Sequence, residues 1–519
     1  MKTFYITTPI YYVNDVPHIG HAYTTIAADV LARWKRLCGE EVFFLTGTDE
    51  HGQNIERIAR EKGVSEQVIC DTNSLRFREL WKNLSIENDD FIRTTEERHA
   101  AGVRVLWDRL KTAKTPAGNP AVFKKKYAGL YCPRCEAFKT EDELNQPGNL
   151  CPDHGLPCEM TEEENYFFRL SDYADWFRGV MANKEMTISP ESRRNEVMGV
   201  VQQGLQDFSI SRARVKWGIP IPDDPEHVFY VWVDALSNYI TALGFAATGE
   251  KRALYERFWE KGADRLHLIG KEIIRFHCLY WPAMLQAAGL PLPTRVFAHG
   301  WWTVEGEKMS KTRGNVVDPR AIVEEYGGPG IGVDVLRYFV LREVPFGNDG
   351  DFSRKALLNR YNAELANALG NLLNRTLQLL EKNNEGKIPP PSPFSGGTAL
   401  ENYQDAMERL AFGEALESAL WYVNEGNLMM DREAPWKTVK TDREAALRTL
   451  FKSVTLLKTA AILLSPFMPA VMGELWKQLG ERESLETAGS RFLREGVVQF
   501  APGQTVQKGA PLFPRKEVK

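Results

Sequence analysis

The chain has 519 residues, 43% of them apolar and 26% charged, with a formal net charge of -4. That length predicts about three domains, each able to bury its own core, and the ordinary residue balance excludes disordered, collagen-like and coiled-coil classes. Net acidity argues against a nonspecific polyanion binder and confines any RNA contact to local basic patches.

The N-terminus, Met1-Lys2-Thr3-Phe4-Tyr5, shows neither a long apolar segment nor a small-residue cleavage site, so a cytoplasmic protein is expected. Phe4 to Thr8 alternates aromatic and β-branched residues before Pro9, which predicts a strand ending in a loop. From His21 to Cys38, Ile26, Ala27, Val30, Leu31, Trp34 and Leu37 step by three or four, the mark of a helix with one buried face. Val42 to Thr46 reads as a buried strand broken by Gly47, and Ile55, Ile58 and Ala59 start another helix. That order of strand, helix, strand, helix predicts a parallel sheet. Beyond Lys111, the loop-like stretch Thr115 to Pro120, the basic run Lys124 to Lys126 and a cysteine cluster look like an inserted domain. The α/β pattern resumes at Val228 to Trp232, Leu266 to Ile269 and Val296 to Ala298, each a strand candidate. From Ser353 on, Leu358, Tyr361, Leu365, Leu369 and Leu372 step helically, as do residues 402–423 and 443–464, predicting a helical bundle. Ile388 to Gly397, rich in proline, is a connector inside it. The longest apolar run, Ala460 to Met472, is interrupted by Ser465, Pro466 and Pro469 and falls short of the roughly 20 residues a membrane helix needs, so no membrane span is expected.

The expected fold is α/β, a split Rossmann-type parallel sheet with a zinc-binding insert, followed by an α-helical bundle. Residues 1–112 and 223–300 would form the two halves of the sheet domain and 113–222 the insert. Residues 301–352 would form a loop-bearing region, 353–480 the bundle and 481–519 a C-terminal extension.

Three patterns carry chemistry. His18-Ile19-Gly20-His21 follows a strand and loop and opens a helix, where unpaired backbone N–H groups and a partial positive charge suit phosphate. Gly20 would let a flat ring lie against the backbone; capping histidines or half of a metal site are the alternatives. Lys308-Met309-Ser310-Lys311-Thr312 lies in a polar, glycine-flanked stretch after Trp301 and Trp302, and its two lysines could reach phosphate oxygens and offset transition-state charge; a solvated basic turn is the alternative. Cys132-Pro133-Arg134-Cys135 and Cys151-Pro152-Asp153-His154 offer three thiolates and an imidazole at the spacing of a closed, structural Zn2+ site, with Cys158 as a substitute ligand. Seven cysteines in all, an odd number, point to a reducing compartment rather than a disulfide framework. A zinc-knuckle RNA-binding protein without catalysis would use the same features, and ATP consumption separates it from an enzyme.

Taken together, His18 to His21 and Lys308 to Thr312 resemble the two signature elements of class I aminoacyl-tRNA synthetases, in the right order and on the expected split sheet. The flanking stretches Thr8 to Tyr12, Gly47 to Gly52, Val231 to Ala235 and Ile269 to Glu272 resemble the methionyl-tRNA synthetases in particular, and the likeness covers most of the chain. Thr312 replaces the usual serine and keeps its hydroxyl. The insert from Lys111 to Arg212 is smaller than the editing insert usual in leucine, isoleucine or valine enzymes, and its zinc knuckles lie away from the amino-acid pocket, unlike a cysteine enzyme.

The resemblance implies ATP-dependent charging of tRNA(Met) with L-methionine, with Mg2+ accompanying ATP and one structural Zn2+. His18, His21, Lys308 and Lys311 would stabilise the transition state at the α-phosphate. Gly20, Gly270, Glu272 and Arg212 would complete the ATP site, with aspartate also found in the family at the position of Glu272. Asp49 would hold the substrate ammonium, its alternative being a helix N-cap. Ile10, Tyr12, Trp232, Ala235, Leu236, Tyr239, Ile273 and His277 would line an apolar pocket for the thioether, with Tyr12 and His277 as candidates for contacting sulfur. Asn371, Arg375, Pro435 and Trp436 would read the anticodon by stacking and base-edge hydrogen bonds. No room remains after the bundle for the dimerising domain some members append, so a monomer is expected.

Overall fold

The computed structural model describes residues 2–14, 16–132, 137–139, 144, 148–152, 155–304, 307–308, 317–393, 397–501 and 503–517. The sheet half is built from strand β1 (Thr3–Tyr12), helix α1 (Ile19–Leu37), β2 (Glu41–Asp49), β3 (Asp90–Arg93), α2 (Glu97–Leu110), β4 (Thr187–Ser189), α3 (Val231–Thr241), β5 (Asp264–Gly270) and β6 (Arg295–His299). Its six strands run in the order β3-β2-β1-β5-β6-β4 with every pairing parallel. The chain steps outward from β1 to β3, crosses the insert, and returns beside β1 as β5. Between β1 and β5 the winding therefore reverses, and open sheets bind ligands at the carboxyl edge of such a switch point.

Alternation along the strands divides the apolar interior in two. Phe4, Ile6, Phe44, Leu266 and Leu268 face the core shared with α1 and the C-terminal helices. Tyr5, Phe43, Leu45, Ile269 and Val296 face the core shared with α2, α3 and the insert. A strand buried on both faces must be apolar at nearly every position, which explains the continuous runs in β2 and β5.

Several expectations are corrected. Pro9 does not end β1, because the register to β2 shifts between Thr7 and Ile10 and the strand continues to Tyr12; proline lacks a ladder donor and is accommodated where pairing slips. Val228 to Trp232 is not a strand of the parallel sheet. Asp224–Phe229 belongs to a separate three-stranded antiparallel sheet, and α3 already starts at Val231. Residues 402–423 are not one helix but two, Ala399–Glu408 and Phe412–Glu433, separated at Leu410, whose φ is 60°. β4 comes from within residues 113–222 yet pairs with β6.

The insert is an antiparallel hairpin, Val122–Cys132 against Glu159–Phe168, flanked by short strands. Beyond the sheet follow α4 (Ile331–Arg342), α5 (Asn371–Asn384), α6 (Phe412–Glu433), α7 (Pro435–Thr438), α8 (Arg443–Leu464) and α9 (Pro469–Gln478). Leu373, Leu416, Val423, Leu457 and Met472 fill their common core. Val506, Leu512 and Phe513 of the extension are buried in the same core, Thr505 bridges Lys387, and Lys458 Nζ donates to the Gln499 carbonyl. Among the described residues no helix is long and apolar enough to cross a membrane.

Candidate active site

A cavity of about 490 Å³ opens at the carboxyl ends of β1, β2, β5 and β6. Ile10 and Tyr12 enter it from β1, His18, Gly20 and His21 from the start of α1, and Asp49 from the end of β2. Trp232, Ala235, Leu236 and Tyr239 come from successive turns of α3, and Gly270, Glu272, Ile273 and His277 follow β5. Fourteen positions expected from sequence thus converge from five segments.

The histidines both cap the helix and line the cavity. His18 is the N-cap of α1, and its Nδ1 accepts the Gly20 backbone N–H at 3.1 Å, while His21 Nδ1 accepts the His18 N–H at 3.2 Å. A Cβ on Gly20 would lie 2.9 Å from the His18 ring, so glycine is required for this cap. The rings stack with centroids 3.9 Å apart. Burial, with His18 beside it, holds His21 well below the ordinary imidazole range. With Nδ1 accepting, the neutral His21 ring carries its proton on Nε2, a donor for phosphate oxygen.

Asp49 is nearly buried at the tip of β2 and does not cap the next helix, whose N-cap is Gly52. Its neighbours are anchored firmly. The buried Glu50 carboxylate accepts from Arg93 Nε at 2.7 Å and Nη2 at 2.9 Å, and from Thr48 and Thr95. His51 Nδ1 meets Asp234 Oδ2 at 2.6 Å, and Asp234 Oδ1 meets His99 Nε2 at 2.7 Å. Burial opposes ionisation of Asp234, but the two imidazoles outweigh it and bring its pKa to about 2. Asp234 therefore ties α3, which carries the aromatic wall, to the segment after β2 and to α2.

The pocket wall is stacked and tightly bonded. Trp232 lies flat on Phe276 at 3.8 Å, and Tyr239 stacks on His267 at 4.0 Å. His277 Nδ1 donates to the Ile273 carbonyl at 3.0 Å, so Nε2 accepts the Tyr239 hydroxyl proton at 2.7 Å. Burial keeps this ring neutral, with a pKa of about 4. With its Nδ1–H on the Ile273 carbonyl and its Nε2 on Tyr239, His277 lines the cavity with both ring nitrogens engaged.

Arg212 does not line the cavity. It is buried, with Nη1 donating to Ser209 Oγ at 2.9 Å and the Ser211 carbonyl at 2.8 Å, and its guanidinium lies over Tyr230. Lys308 is described through its backbone, paired with Thr303; Lys311 lies outside the described residues, as do Cys135 and His154. Cys132, Cys151 and Cys158 gather with Leu144 in one small buried cluster. Among the described residues no group of three or more His, Cys, Asp or Glu has metal-holding geometry. Sequence reasoning missed Thr24, His299 and Trp301 in the cavity, where Thr24 Oγ1 and His299 Nε2 are 2.7 Å apart. The pairing of Trp301 with Trp302 was the available signal.

In the bundle, the Arg375 guanidinium sits 5.0 Å from the ring centre of Trp436, and its Nη2 donates to Asp431 Oδ1 at 2.8 Å. Asn371 lies one turn earlier on α5 and is exposed. Pro435 opens α7 directly after Ala434, whose φ of 41° turns the chain out of α6 and leaves the Trp436 ring partly in solvent.

The family model for tRNA synthetases class I (M) matches residues 4–157 and 150–377, and that for the anticodon binding domain of methionyl tRNA ligase matches residues 397–515. The chain is 46% identical to the methionine–tRNA ligase of Caldanaerobacter subterraneus subsp. tengcongensis, over 100% of this chain and 79% of the relative. It is 44% identical to that of Rickettsia felis, over 99% of each. The structure of Mycobacterium tuberculosis methionyl-tRNA synthetase in complex with methionyl-adenylate superposes with a TM-score of 0.90 at 41% identity, covering 99% of this chain and 100% of that one. On the split parallel sheet, the capped histidine pair and these likenesses, the chain belongs to the methionine–tRNA ligases of the class I tRNA synthetases.

Proposed function

We propose that the chain activates L-methionine with ATP and transfers the methionyl group to the 3′ end of tRNA(Met), acting in the cytoplasm as a monomer. The observation that carries this reading is the cavity itself, which gathers a capped histidine pair, the carboxylates of Asp49 and Glu272 and an aromatic wall at the switch point of the sheet. In the first step a methionine carboxylate oxygen attacks the α-phosphorus, the bond to the bridging oxygen breaks, and pyrophosphate leaves. In the second, a terminal ribose hydroxyl of the tRNA attacks the adenylate carbonyl, and AMP leaves. No protein nucleophile is needed, so the protein contributes position and charge.

His18 and His21 donate to phosphate at the positive end of α1, and Lys308 and Lys311 bring the cationic charge that the pentacoordinate state needs. Asp49 takes the ammonium, which sets the amino acid's direction. Ile10, Tyr12, Trp232, Ala235, Leu236, Tyr239, Ile273 and His277 enclose the side chain. Gly20, Gly270 and Glu272 hold adenosine. Asn371, Arg375, Pro435 and Trp436 form the anticodon surface, where a base can stack on the half-exposed indole. Mg2+ enters with ATP. Cys132, Cys135, Cys151 and His154 are the candidate Zn2+ ligands, with Cys158 as a substitute, and Cys132, Cys151 and Cys158 lie together in one buried cluster; the ion would cross-link the insert and take no part in activation.

ATP–pyrophosphate exchange with each of the twenty amino acids, without tRNA, tests the proposal. Methionine alone should support exchange. Exchange with a different amino acid would overturn the specificity, and none with any would favour a noncatalytic RNA-binding protein.

A further inference from the structure

Glu272 follows β5 and lines the cavity in the part proposed above to hold adenosine. A glutamate has one more rotatable bond than an aspartate, so a carboxylate at this place is not fixed by its backbone alone. Two features fix it here. The side chain folds back over Gly270, where an added Cβ would lie 2.5 Å from both carboxylate oxygens. The Trp301 indole Nε1 then donates to Glu272 Oε2 at 2.6 Å, a short, charge-assisted bond.

Trp301 is itself fixed from two sides. Its backbone N–H donates to Asp349 Oδ1 at 2.8 Å. Asp349 Oδ2 holds Lys271 Nζ at 2.6 Å, and that ammonium lies 4.3 Å from the centre of the Trp301 ring. Lys271 is the nearest cation in sequence to Glu272, but it is turned to Asp349 and to the indole face. Lys271 is thus not paired with Glu272, whose Oε2 is taken by the indole and whose Oε1 has no hydrogen-bond partner among the described residues.

We infer that Trp301 is a positioning residue for nucleotide selection, whose indole N–H aims the Glu272 carboxylate at the ribose hydroxyls and so sets the preference for ribonucleotide over deoxyribonucleotide. This rests on the adenosine assignment made above. Acting through Glu272, Trp301 would affect nucleotide binding and leave methionine recognition alone.

Trp301→Phe removes the N–H and part of the ring while keeping an aromatic face for Lys271, and the comparison across nucleotides separates loss of the donor from loss of packing. Methionine-dependent pyrophosphate exchange is measured with ATP, 2′-deoxy-ATP and 3′-deoxy-ATP for the parent, Trp301→Phe, Glu272→Gln and the double variant. Loss of one charge-assisted bond should raise the ATP KM about tenfold and lower the preference for ATP over at least one deoxy analogue by a similar factor, with methionine KM unmoved. In the Glu272→Gln background the Trp301 change should have no further effect on that preference. An equal loss with all three nucleotides would make Trp301 structural and overturn the inference. So would a further fall in the double variant, since Trp301 would then act on the nucleotide directly. If the parent itself shows no methionine-dependent exchange, the adenosine assignment fails with the function, an outcome distinct from both.

Discussion

Asp49 shows how little of a site is stated by one residue. Its sequence neighbours allow a helix cap, and only the fold puts it beside the aromatic wall. Asp49→Asn removes the countercharge for a partly desolvated ammonium and should raise the methionine KM by about 100-fold, leaving the ATP KM within about twofold; steady-state exchange against each substrate separates the two, and a matching rise in ATP KM would remove Asp49 from the amino-acid site. Tyr239 and His277 form the complementary case. Tyr239→Phe deletes the donor to His277 Nε2 and leaves a buried acceptor unpaired, so chemical denaturation should show a loss of about 1 to 3 kcal/mol. The pocket positions were legible through family resemblance, because an apolar stripe at helical spacing is ordinary core on its own. The tethers behind them were not. His51 and Asp234 are 183 residues apart in sequence, as Glu50 and Arg93 are 43, and no local periodicity records such a bond.

Elements were legible in proportion to their length and regularity. Helix α8 coincides with the expected 443–464 stretch because 22 residues of steady spacing leave one solution. β4 is three residues long and was invisible. Val228 to Trp232 misled because an aromatic, β-branched run satisfies strand preference although the chain bends into α3 in its midst. At this scale α9 offers a pH test. Asp334 on α4 accepts the Val471 N–H at 2.7 Å, capping α9 from a neighbouring helix, and burial raises its pKa to about 7 against the stabilising pull of that bond. The folded state therefore holds a proton that the unfolded chain releases near pH 4. Stability from this group is complete below about pH 4 and is lost as pH rises to about 7, at up to about 1.4 kcal/mol per unit. Asp334→Asn should flatten that part of the stability-against-pH curve in urea titrations; an unchanged slope would show that the carboxyl ionises normally. Trp436→Ala on α7 should weaken tRNA charging and spare amino-acid activation, and equal loss of both steps would move the anticodon surface elsewhere.

For the whole molecule, the junction of sheet and bundle turns on Arg337. Fully buried on α4, it donates to Asp29 of α1 at 2.6 Å, to the Pro466 and Phe467 carbonyls between α8 and α9, and to the Leu84 carbonyl. Burial works against ionisation of Asp29, yet Arg337 and Arg33 together hold its carboxyl below the usual range. Arg337→Met would leave that carboxylate buried with one cation fewer and should cost about 3 to 5 kcal/mol of unfolding free energy; denaturation curves that overlay the parent would show that the junction does not depend on it. Chelation should act on a different unit. Removing Zn2+ should open the 122–168 hairpin to protease while pyrophosphate exchange persists, and metal analysis that finds no zinc in the native protein would refute the assignment.

The packing of residues 497–514 bears on how this protein can be cut and joined. Gln504 donates to the Leu479 carbonyl, Tyr361 donates to the Pro514 carbonyl, and Phe513 lies in the bundle core. A deletion variant designed to stop at Glu495, where the last helix closes, would remove the carbonyl acceptors of Tyr361 and Lys458 and uncover apolar surface in the middle of the bundle. A minimal helical fragment must therefore run through Pro514. Reporter or affinity sequences spliced into 497–513 should precipitate the protein, whereas the same insertion at the exposed turn after Lys440 should be tolerated.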